Sequence, residues 1–138
     1  MATAHDSIGV VVFEPNAQLL SKLCSVARGI WGMQEVLPRK TGRELQNAAD
    51  FLAVGLVIVR ASQQRASEAI SATLADLYAR GAQLLIIQDG ATRFDRQRPM
   101  SLAGLHFLSD DAEDWQLEAV LTRCLVGYVM PDLNRPEA

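Results

Sequence analysis

The sequence has few of the residues and motifs that identify a metal-bound, secreted or membrane-spanning protein. It contains only 2 cysteines, Cys24 and Cys124, and their wide separation fits neither a zinc site nor the disulfide framework of a secreted protein. No apolar stretch approaches the ~20 residues that a membrane-spanning helix needs. The amino terminus, MATAHDS, has no basic region followed by an apolar core, as a signal peptide would. We therefore expect a cytoplasmic protein without membrane contacts, in which both thiols are free and buried.

The chain also lacks an excess of basic residues. Its 13 lysines and arginines and 16 aspartates and glutamates give a formal net charge of −3. Proteins that bind DNA or RNA carry a basic surface that contacts phosphates, so we expect no nucleic-acid partner for this domain. A content of 49% hydrophobic and 21% charged residues in a chain of 138 is typical of a globular protein with one core. We place the domain at residues 7–129 and a polar tail at residues 130–138.

Sequence motifs of common enzyme classes are missing as well. The chain contains no GxGxxG after its first apolar run, no GxxxxGK[ST] and no GxSxG. The segment FEPNAQ, which follows that run, has none of the Gly, Ser or Thr residues that a flavodoxin-like phosphate-binding loop needs. We therefore expect no enzymatic activity and no cofactor.

Continuous apolar runs rich in valine and isoleucine dominate what is present. Three strong runs of this kind are typical of strands buried on both faces, as in a parallel sheet covered by helices. Two weaker runs add a second and a fifth strand, and Pro38 limits the second strand to an edge or terminal position. In chain order, the five predicted strands cover residues 8–13 (IGVVVF), 34–37, 55–59 (GLVIV), 83–87 (QLLII) and 105–108 (LHFL).

Helical spacing of apolar residues follows the first, second, third and fifth strands. The third of these helices is expected from about residue 63 to residue 80. The residues expected at helix ends are Pro15, Gly29 and Gly32 for the first helix, Thr41 and Glu44 as a capping box for the second, and Asp110 or Asp111 as the cap of the last.

This alternation of strands and helices predicts one α/β domain with a parallel sheet, right-handed crossovers and helices on both faces. The exception is the segment 90–104, where Pro99 and a lack of periodicity favour a loop with at most a short helix. Arg93, Arg96 and Arg98 form a small basic cluster in this segment. That cluster is either an ordinary solvated loop or a docking surface for a partner.

Charged and polar residues stand where the predicted strands end. Glu14 follows the first strand, Arg60 the third and Asp89 the fourth, and Asp110 lies just beyond the fifth. In parallel α/β sheets, ligands and chemistry gather beyond the carboxyl ends of the strands. Arg60 therefore places a cation at the centre of the edge where a catalytic or phosphate-accepting carboxylate would be expected.

The order and lengths of these elements resemble the receiver domain of two-component response regulators. Four local sequences carry the resemblance: VFEPNAQLLSKL at the first strand and helix, Thr41-Gly42 before the second helix, GLVIVR at the third strand, and LAGLHFLSD at the last strand. The resemblance implies the flavodoxin-like fold of that family, with five parallel strands in the order 2-1-3-4-5.

The functional residues of the family do not carry over. Matching on Pro15 places Val12 and Phe13 where receivers have their metal-binding acids, and Arg60 where they have the phosphorylated aspartate. A shift of one residue in the alignment would bring in Glu14 after the first strand or Asp89 after the fourth. No such shift places an acid at the end of GLVIV. The remaining switch positions correspond to Gln88 for the hydroxyl residue, Ser109 for the lysine and His106 for the aromatic residue.

Phosphoryl transfer to a carboxylate needs that carboxylate and a divalent ion held by neighbouring acids. A guanidinium does not deprotonate and cannot act as the nucleophile. The resemblance thus predicts a non-phosphorylatable regulatory domain that signals through a protein partner or a homodimer, using the last strand and its flanking helices. Two alternatives stay open: a receiver variant that senses a ligand or metal at the acidic edge, and a small flavodoxin-like nucleotide-binding protein or enzyme.

Each of these residues also has a plain structural interpretation. Arg60 is either a solvent-facing residue at a strand end or an internal cation paired with Glu14 or Asp89, because an unpaired buried charge is costly. Asp89 precedes a glycine, as turn residues do, and Asp110 suits a helix cap. A magnesium site built from the three acids Glu14, Asp89 and Asp110 is a further alternative. His106 fits a core or edge histidine of the last strand.

Overall fold

The computed structural model describes residues 7–89, 100–102 and 104–129. The strands in these residues are β1 (Ser7–Phe13), β2 (Val36–Arg39), β3 (Ala53–Arg60), β4 (Gln83–Gln88), β5 (Met100–Leu102) and β6 (Leu105–Ser109). The helices are α1 (Ala17–Trp31), α2 (Gly42–Phe51), α3 (Ala61–Gln64), α4 (Glu68–Ala79) and α5 (Asp114–Val129), and a 3-10 turn at Met33–Glu35 precedes β2.

One sheet joins all the strands in the described part of the chain, in the order β2-β1-β3-β4-β6-β5. Neighbouring strands from β2 to β6 run parallel, whereas β5 pairs antiparallel with β6. The five parallel strands confirm the predicted order 2-1-3-4-5. The second strand lies at the edge, where Pro38 does not interrupt a ladder on both sides.

Strand β5 was not predicted. The segment 90–104 was expected to be a loop with at most a short helix, but Met100–Leu102 form a strand against β6. Gly104, with a φ of 89°, lies in the turn that follows β5 and permits the reversal into β6. The loop prediction is therefore wrong for residues 100–102, and residues 90–99 lie outside the described part of the chain.

Alternate side chains of the central strands enter two separate cores. Leu56 and Ile58 of β3 pack with α1 and α5 on one face of the sheet, and Val57 and Val59 pack with α2 and α4 on the other. All four side chains are fully buried. The continuous apolar runs thus form strands that are buried on both faces, as predicted, and α1 and α5 share one side of the sheet.

The helix ends agree with the sequence only in part. The capping box is present, since the Glu44 amide donates to Thr41 Oγ1 at 3.1 Å and the Thr41 amide to Glu44 Oε1 at 3.3 Å. The first helix starts later than expected, because Asn16 is its N-cap and Pro15 precedes the cap. Gly29 lies inside that helix and does not end it.

The third and last helices also differ from the prediction. The segment expected as one helix is broken into α3 and α4, because Ser67 accepts the Ile70 amide and starts a new helix. Neither Asp110 nor Asp111 caps α5, which starts at Asp114. Instead, the Asp110 amide donates to the Gln88 carbonyl at 3.1 Å and extends the pairing of β6 with β4.

Both cysteines lie in the core between α1, α5 and the sheet and are free. Burial raises the pKa of Cys24 and raises that of Cys124 to about 12, although nearby Arg28 and Arg123 oppose the two shifts. The thiols therefore stay protonated at neutral pH. No helix in the described part of the chain is long and apolar enough to cross a membrane.

Candidate functional site

The carboxyl ends of the parallel strands meet at one edge of the sheet. The β3–β4 register places Arg60 opposite Ile87, and the β1–β3 register places Phe13 opposite Val59. Residues at or just after these strand ends therefore lie near one another at this edge. This geometry brings Glu14 and Asp89, which are far from Arg60 in the sequence, into direct contact with Arg60.

Arg60 and Glu14 form a bidentate ion pair. The Nε and Nη2 groups of Arg60 each donate to a different carboxylate oxygen of Glu14, and both distances are 2.6 Å. The Glu14 side chain is completely buried, whereas that of Arg60 is 25% exposed. Parallel N–H···O bonds of this kind match the planar guanidinium to the planar carboxylate and are stronger than single hydrogen bonds.

Glu14 is also anchored by the backbone around it. Its Oε2 atom accepts the amide of Asn16 at 2.8 Å, at the start of α1, and its own amide donates to the Arg39 carbonyl at 2.9 Å. Glu14 therefore connects β1, β2, α1 and Arg60. A buried carboxylate is tolerated when its charge is paired and its oxygens accept hydrogen bonds, and both conditions are met here.

Asp89 completes the arrangement from the end of β4. Arg60 Nη1 donates to Asp89 Oδ2 at 3.2 Å, and the same carboxylate accepts the amide and the hydroxyl of Ser62 at 2.9 and 2.5 Å. Burial opposes ionisation of Asp89, but the Ser62 hydrogen bonds and the charge of Arg60 outweigh it and lower the pKa of Asp89. The hydrogen bond to Glu14 raises the pKa of Arg60. Arg60 and Asp89 are therefore both charged at neutral pH.

We refer to Glu14, Arg60, Ser62 and Asp89 as the Arg60 cluster. The ion pair of Arg60 with Glu14 or Asp89 that the sequence suggested is present, and Arg60 contacts both acids. Ser62 was missed. Its position two residues after the end of β3, at the start of α3, was the available signal, because hydroxyl residues at helix starts often bind a carboxylate or backbone group nearby.

The other switch-equivalent positions have structural contacts. Gln88 and Ser109 are opposite each other in the β4–β6 ladder. The Ser109 hydroxyl donates to the carboxylate of Asp111, and exposed Asp110 lies in the turn after β6. Arg93, Arg96 and Arg98, together with the tail at 130–138, lie outside the described residues.

His106 is a buried link between β6, β4 and α5. Its Nε2 lies 2.9 Å from Gln83 Oε1, and Gln83 Nε2 donates to the Cys124 carbonyl at 2.8 Å. Since the Gln83 oxygen is an acceptor only, the Nε2 atom of His106 carries the proton. Burial, with a smaller effect of the Arg123 charge, lowers the pKa of His106.

Metal ligands do not assemble in the described part of the chain, where no group of three or more His, Cys, Asp or Glu side chains is placed to hold an ion. Two of the acids considered for a magnesium site, Glu14 and Asp89, are instead bound to the guanidinium of Arg60. A fixed organic cation thus lies between the carboxylates at this edge.

Replacing Arg60 with Ala is expected to lower the free energy of unfolding by about 3 kcal/mol, because it leaves the buried Glu14 without its counter-charge. Arg60→Asp should be less stable still, since it adds a third carboxylate. Lys22→Ala is the matched control, because the Lys22–Asp114 pair is exposed and contributes at most about 1 kcal/mol. Urea denaturation measures the free energy of unfolding of all three variants. An Arg60→Ala protein as stable as the parent would contradict this interpretation of the pair.

Stability is also expected to depend on pH through His106. A base with a lower pKa in the folded state binds fewer protons there than in the unfolded chain. The free energy of unfolding therefore keeps its full value, as far as His106 is concerned, above the unfolded pKa of about 6.5, and it falls as the pH drops below that value. His106→Gln should remove this decline. Urea denaturation between pH 5 and 8 (a range of about three units around that pKa) tests this, and an identical decline in the variant would assign it to other groups.

The comparisons place the fold among solved structures. No family model and no curated protein matches the sequence. The chain is similar to the PhyR response regulator REC domain of Erythrobacter litoralis, with a TM-score of 0.65, 15% identity and coverage of 98% of both chains. It is also similar to the N-terminal domain of an uncharacterized protein from Wolinella succinogenes, with a TM-score of 0.63, 15% identity and coverage of 86% of this chain and 94% of that one.

A third similar structure is a putative pilus assembly-related protein from Burkholderia pseudomallei, with a TM-score of 0.59, 20% identity and coverage of 87% of this chain and 90% of that one. At these identities the likeness concerns the fold. The five parallel strands in the order 2-1-3-4-5, with helices on both faces, agree with it. The chain therefore has the fold of a response-regulator receiver domain.

Proposed function

We propose that this chain is a receiver-like regulatory domain that signals through protein contacts, is not switched by phosphorylation and is not an enzyme. The observation that carries the proposal is the bidentate bond between Arg60 and the buried Glu14 at the carboxyl edge of the sheet. In the receiver fold, this edge is where the resemblance places the phosphorylated aspartate and its metal ion.

The position equivalent to the phosphoacceptor cannot react with a phosphoryl donor. Arg60 has no carboxylate to form the acyl phosphate, and its guanidinium keeps its proton. Val12 and Phe13, at the positions of the metal-binding acids, are apolar and buried. They offer no ligand to the divalent ion that must neutralise the charge developing on the phosphoryl oxygens.

The two neighbouring acids are already engaged. Both oxygens of Glu14 accept hydrogen bonds from Arg60, and both oxygens of Asp89 accept hydrogen bonds from Ser62 or Arg60. A divalent ion that bound both acids would have to lie beside, or displace, a guanidinium that carries the same sign of charge. A one-residue shift of the alignment, which makes Glu14 or Asp89 the acceptor, therefore does not restore the chemistry.

Incubation with acetyl phosphate and magnesium is expected to leave the intact mass of the protein unchanged, because no free carboxylate stands at the reactive position. Mass spectrometry of the whole chain measures this, and an authentic receiver domain in the same reaction is the positive control. A single added phosphoryl group mapped to Glu14 or Asp89 would overturn the proposal.

The partner-binding half of the proposal concerns the last strand and its flanking helices. Strand β5 pairs with the outer edge of β6, so the backbone of the last parallel strand does not offer a free edge. The exposed side of α5 supports a contact surface, since Trp115 is 64% exposed and Val126 is 44% exposed along it. Exposed aromatic side chains are frequent anchors of protein interfaces. We propose that a protein partner or a second copy of the chain binds there.

Substituting Trp115→Glu or Val126→Glu is expected to weaken self-association or partner binding by at least about tenfold, because each places a charge in an apolar contact. Phe51→Glu is the control: Phe51 is 80% exposed but lies at the end of α2, on the opposite face of the sheet. Sedimentation over a concentration series, and pull-down with any identified partner, measure the effect. Equal weakening by all three variants would contradict a contact specific to α5.

A further inference from the structure

The outer face of α5 carries a stripe of exposed residues at the spacing of a coiled coil. Its members are Trp115, Ala119, Thr122 and Val126, which follow one another after four, three and four positions. At 3.6 residues per turn these positions lie on one side of the helix, and the buried residues of α5 lie on the other. The buried residues are Leu117, Val120, Leu121 and Cys124. The helix therefore presents a second face after it has packed on the core.

The stripe can be covered without leaving its polar side-chain donors unpaired. Thr122 Oγ1 donates to the Glu118 carbonyl at 2.8 Å, and Trp115 Nε1 donates to Glu113 Oε1 at 3.0 Å. Both hydrogen bonds are made to residues within one turn of the donor. A second helix that buries the stripe therefore does not have to replace them.

Opposite charges flank the stripe on its two sides. In the heptad notation of coiled coils, Ala119 is an a residue and Thr122 is a d residue. Glu118 is then a g residue and Arg123 an e residue, and both side chains are exposed. When two helices pair in parallel, the g residue of one helix lies beside the e residue of the next heptad of the other. A parallel pair therefore sets Glu118 of each copy beside Arg123 of the second copy, and twofold symmetry forms this ion pair twice.

The same charges disfavour an antiparallel pair. Antiparallel helices bring like flanks together, which places Glu118 beside Glu118 and Arg123 beside Arg123. Like charges that face each other in an interface are repulsive. Arg123 also has an interaction within its own chain. A guanidinium has five N–H donors and can hold two partners at once, as Arg60 does with Glu14 and Asp89.

We infer that the partner of α5 is a second copy of the same chain and that the two α5 helices pair in parallel. One helix supplies both members of each ion pair, so its outer face is complementary to itself, as the interface of a twofold dimer must be. The parallel arrangement sets Trp115 beside Trp115 of the second copy and the carboxyl ends of both helices at the same end of the dimer. The inference rests on the proposed contact surface of α5 and specifies its occupant and orientation.

Exchanging the charges tests the ion pairs. Glu118→Arg and Arg123→Glu are each expected to weaken self-association by about tenfold or more, because each puts like charges together at both pairs. An equimolar mixture of the two variants should form a mixed dimer as tightly as the parent self-associates, and the combined variant should self-associate again. Sedimentation over a concentration series measures these affinities. The matched controls are Glu68→Arg and Arg65→Glu, at exposed positions around the start of α4 on the opposite face of the sheet, and they should leave self-association unchanged.

Cross-linking tests the orientation. In a parallel dimer, Ala119→Cys and Val126→Cys each place a thiol opposite the same thiol of the second copy, within the range of a disulfide. Each variant should therefore give a covalent dimer on oxidation with diamide, whereas the native cysteines are buried and should not react. In an antiparallel dimer these two positions, one heptad apart, cannot both face their own counterparts.

A parent chain that stays monomeric throughout the concentration series would overturn the inference. Single charge variants that associate like the parent, or a mixture that does not recover association, would overturn it as well, and a disulfide at only one of the two positions would refute the parallel orientation. An unfolding curve for each variant establishes that it is folded. None of these outcomes bears on the acetyl phosphate experiment, and a monomeric parent leaves Trp115 as an anchor for another protein, so the inference and the proposed function fail separately.

Discussion

The buried charge of Glu14 is the constraint on which the carboxyl edge of this protein depends. A carboxylate with no exposure to water needs a counter-charge and hydrogen-bond donors, and Arg60 supplies both through its two parallel bonds. The same guanidinium reaches Asp89, which in turn holds Ser62 at the start of α3. The ends of β1, β3 and β4 are therefore joined through one side chain.

The receiver fold is thus combined with a different edge chemistry. Fold alone does not determine function, because function resides in the side chains placed on the fold. On the proposal made here, a permanent organic cation replaces the exchangeable metal ion and the reactive carboxylate. A domain of this kind cannot be set and reset by a phosphoryl group, so its output depends on what binds it. The exposed side of α5 is a place where binding is proposed.

Much of the fold was predictable because burial leaves a local signal. The three strong apolar runs identified strands covered on both faces, and the position of Arg60 after GLVIV indicated an ion pair at the edge. The predictions that were wrong concern residues whose structure depends on contacts with distant parts of the chain. The three residues of β5 form a strand by pairing with β6, a contact that their own sequence does not indicate. Asp110 does not cap α5 because its amide extends the pairing with Gln88 of β4, and the helix starts only at Asp114.

The coupling between Arg60 and Glu14 tests this account most directly. A double-mutant cycle with Arg60→Met, Glu14→Gln and the combined variant, measured by urea denaturation, isolates the interaction from the effect of each substitution alone. We predict a coupling of about 3 kcal/mol, with the double variant more stable than Arg60→Met, because removing both charges leaves no unpaired carboxylate in the core. A coupling near zero would show that the edge does not depend on this pair.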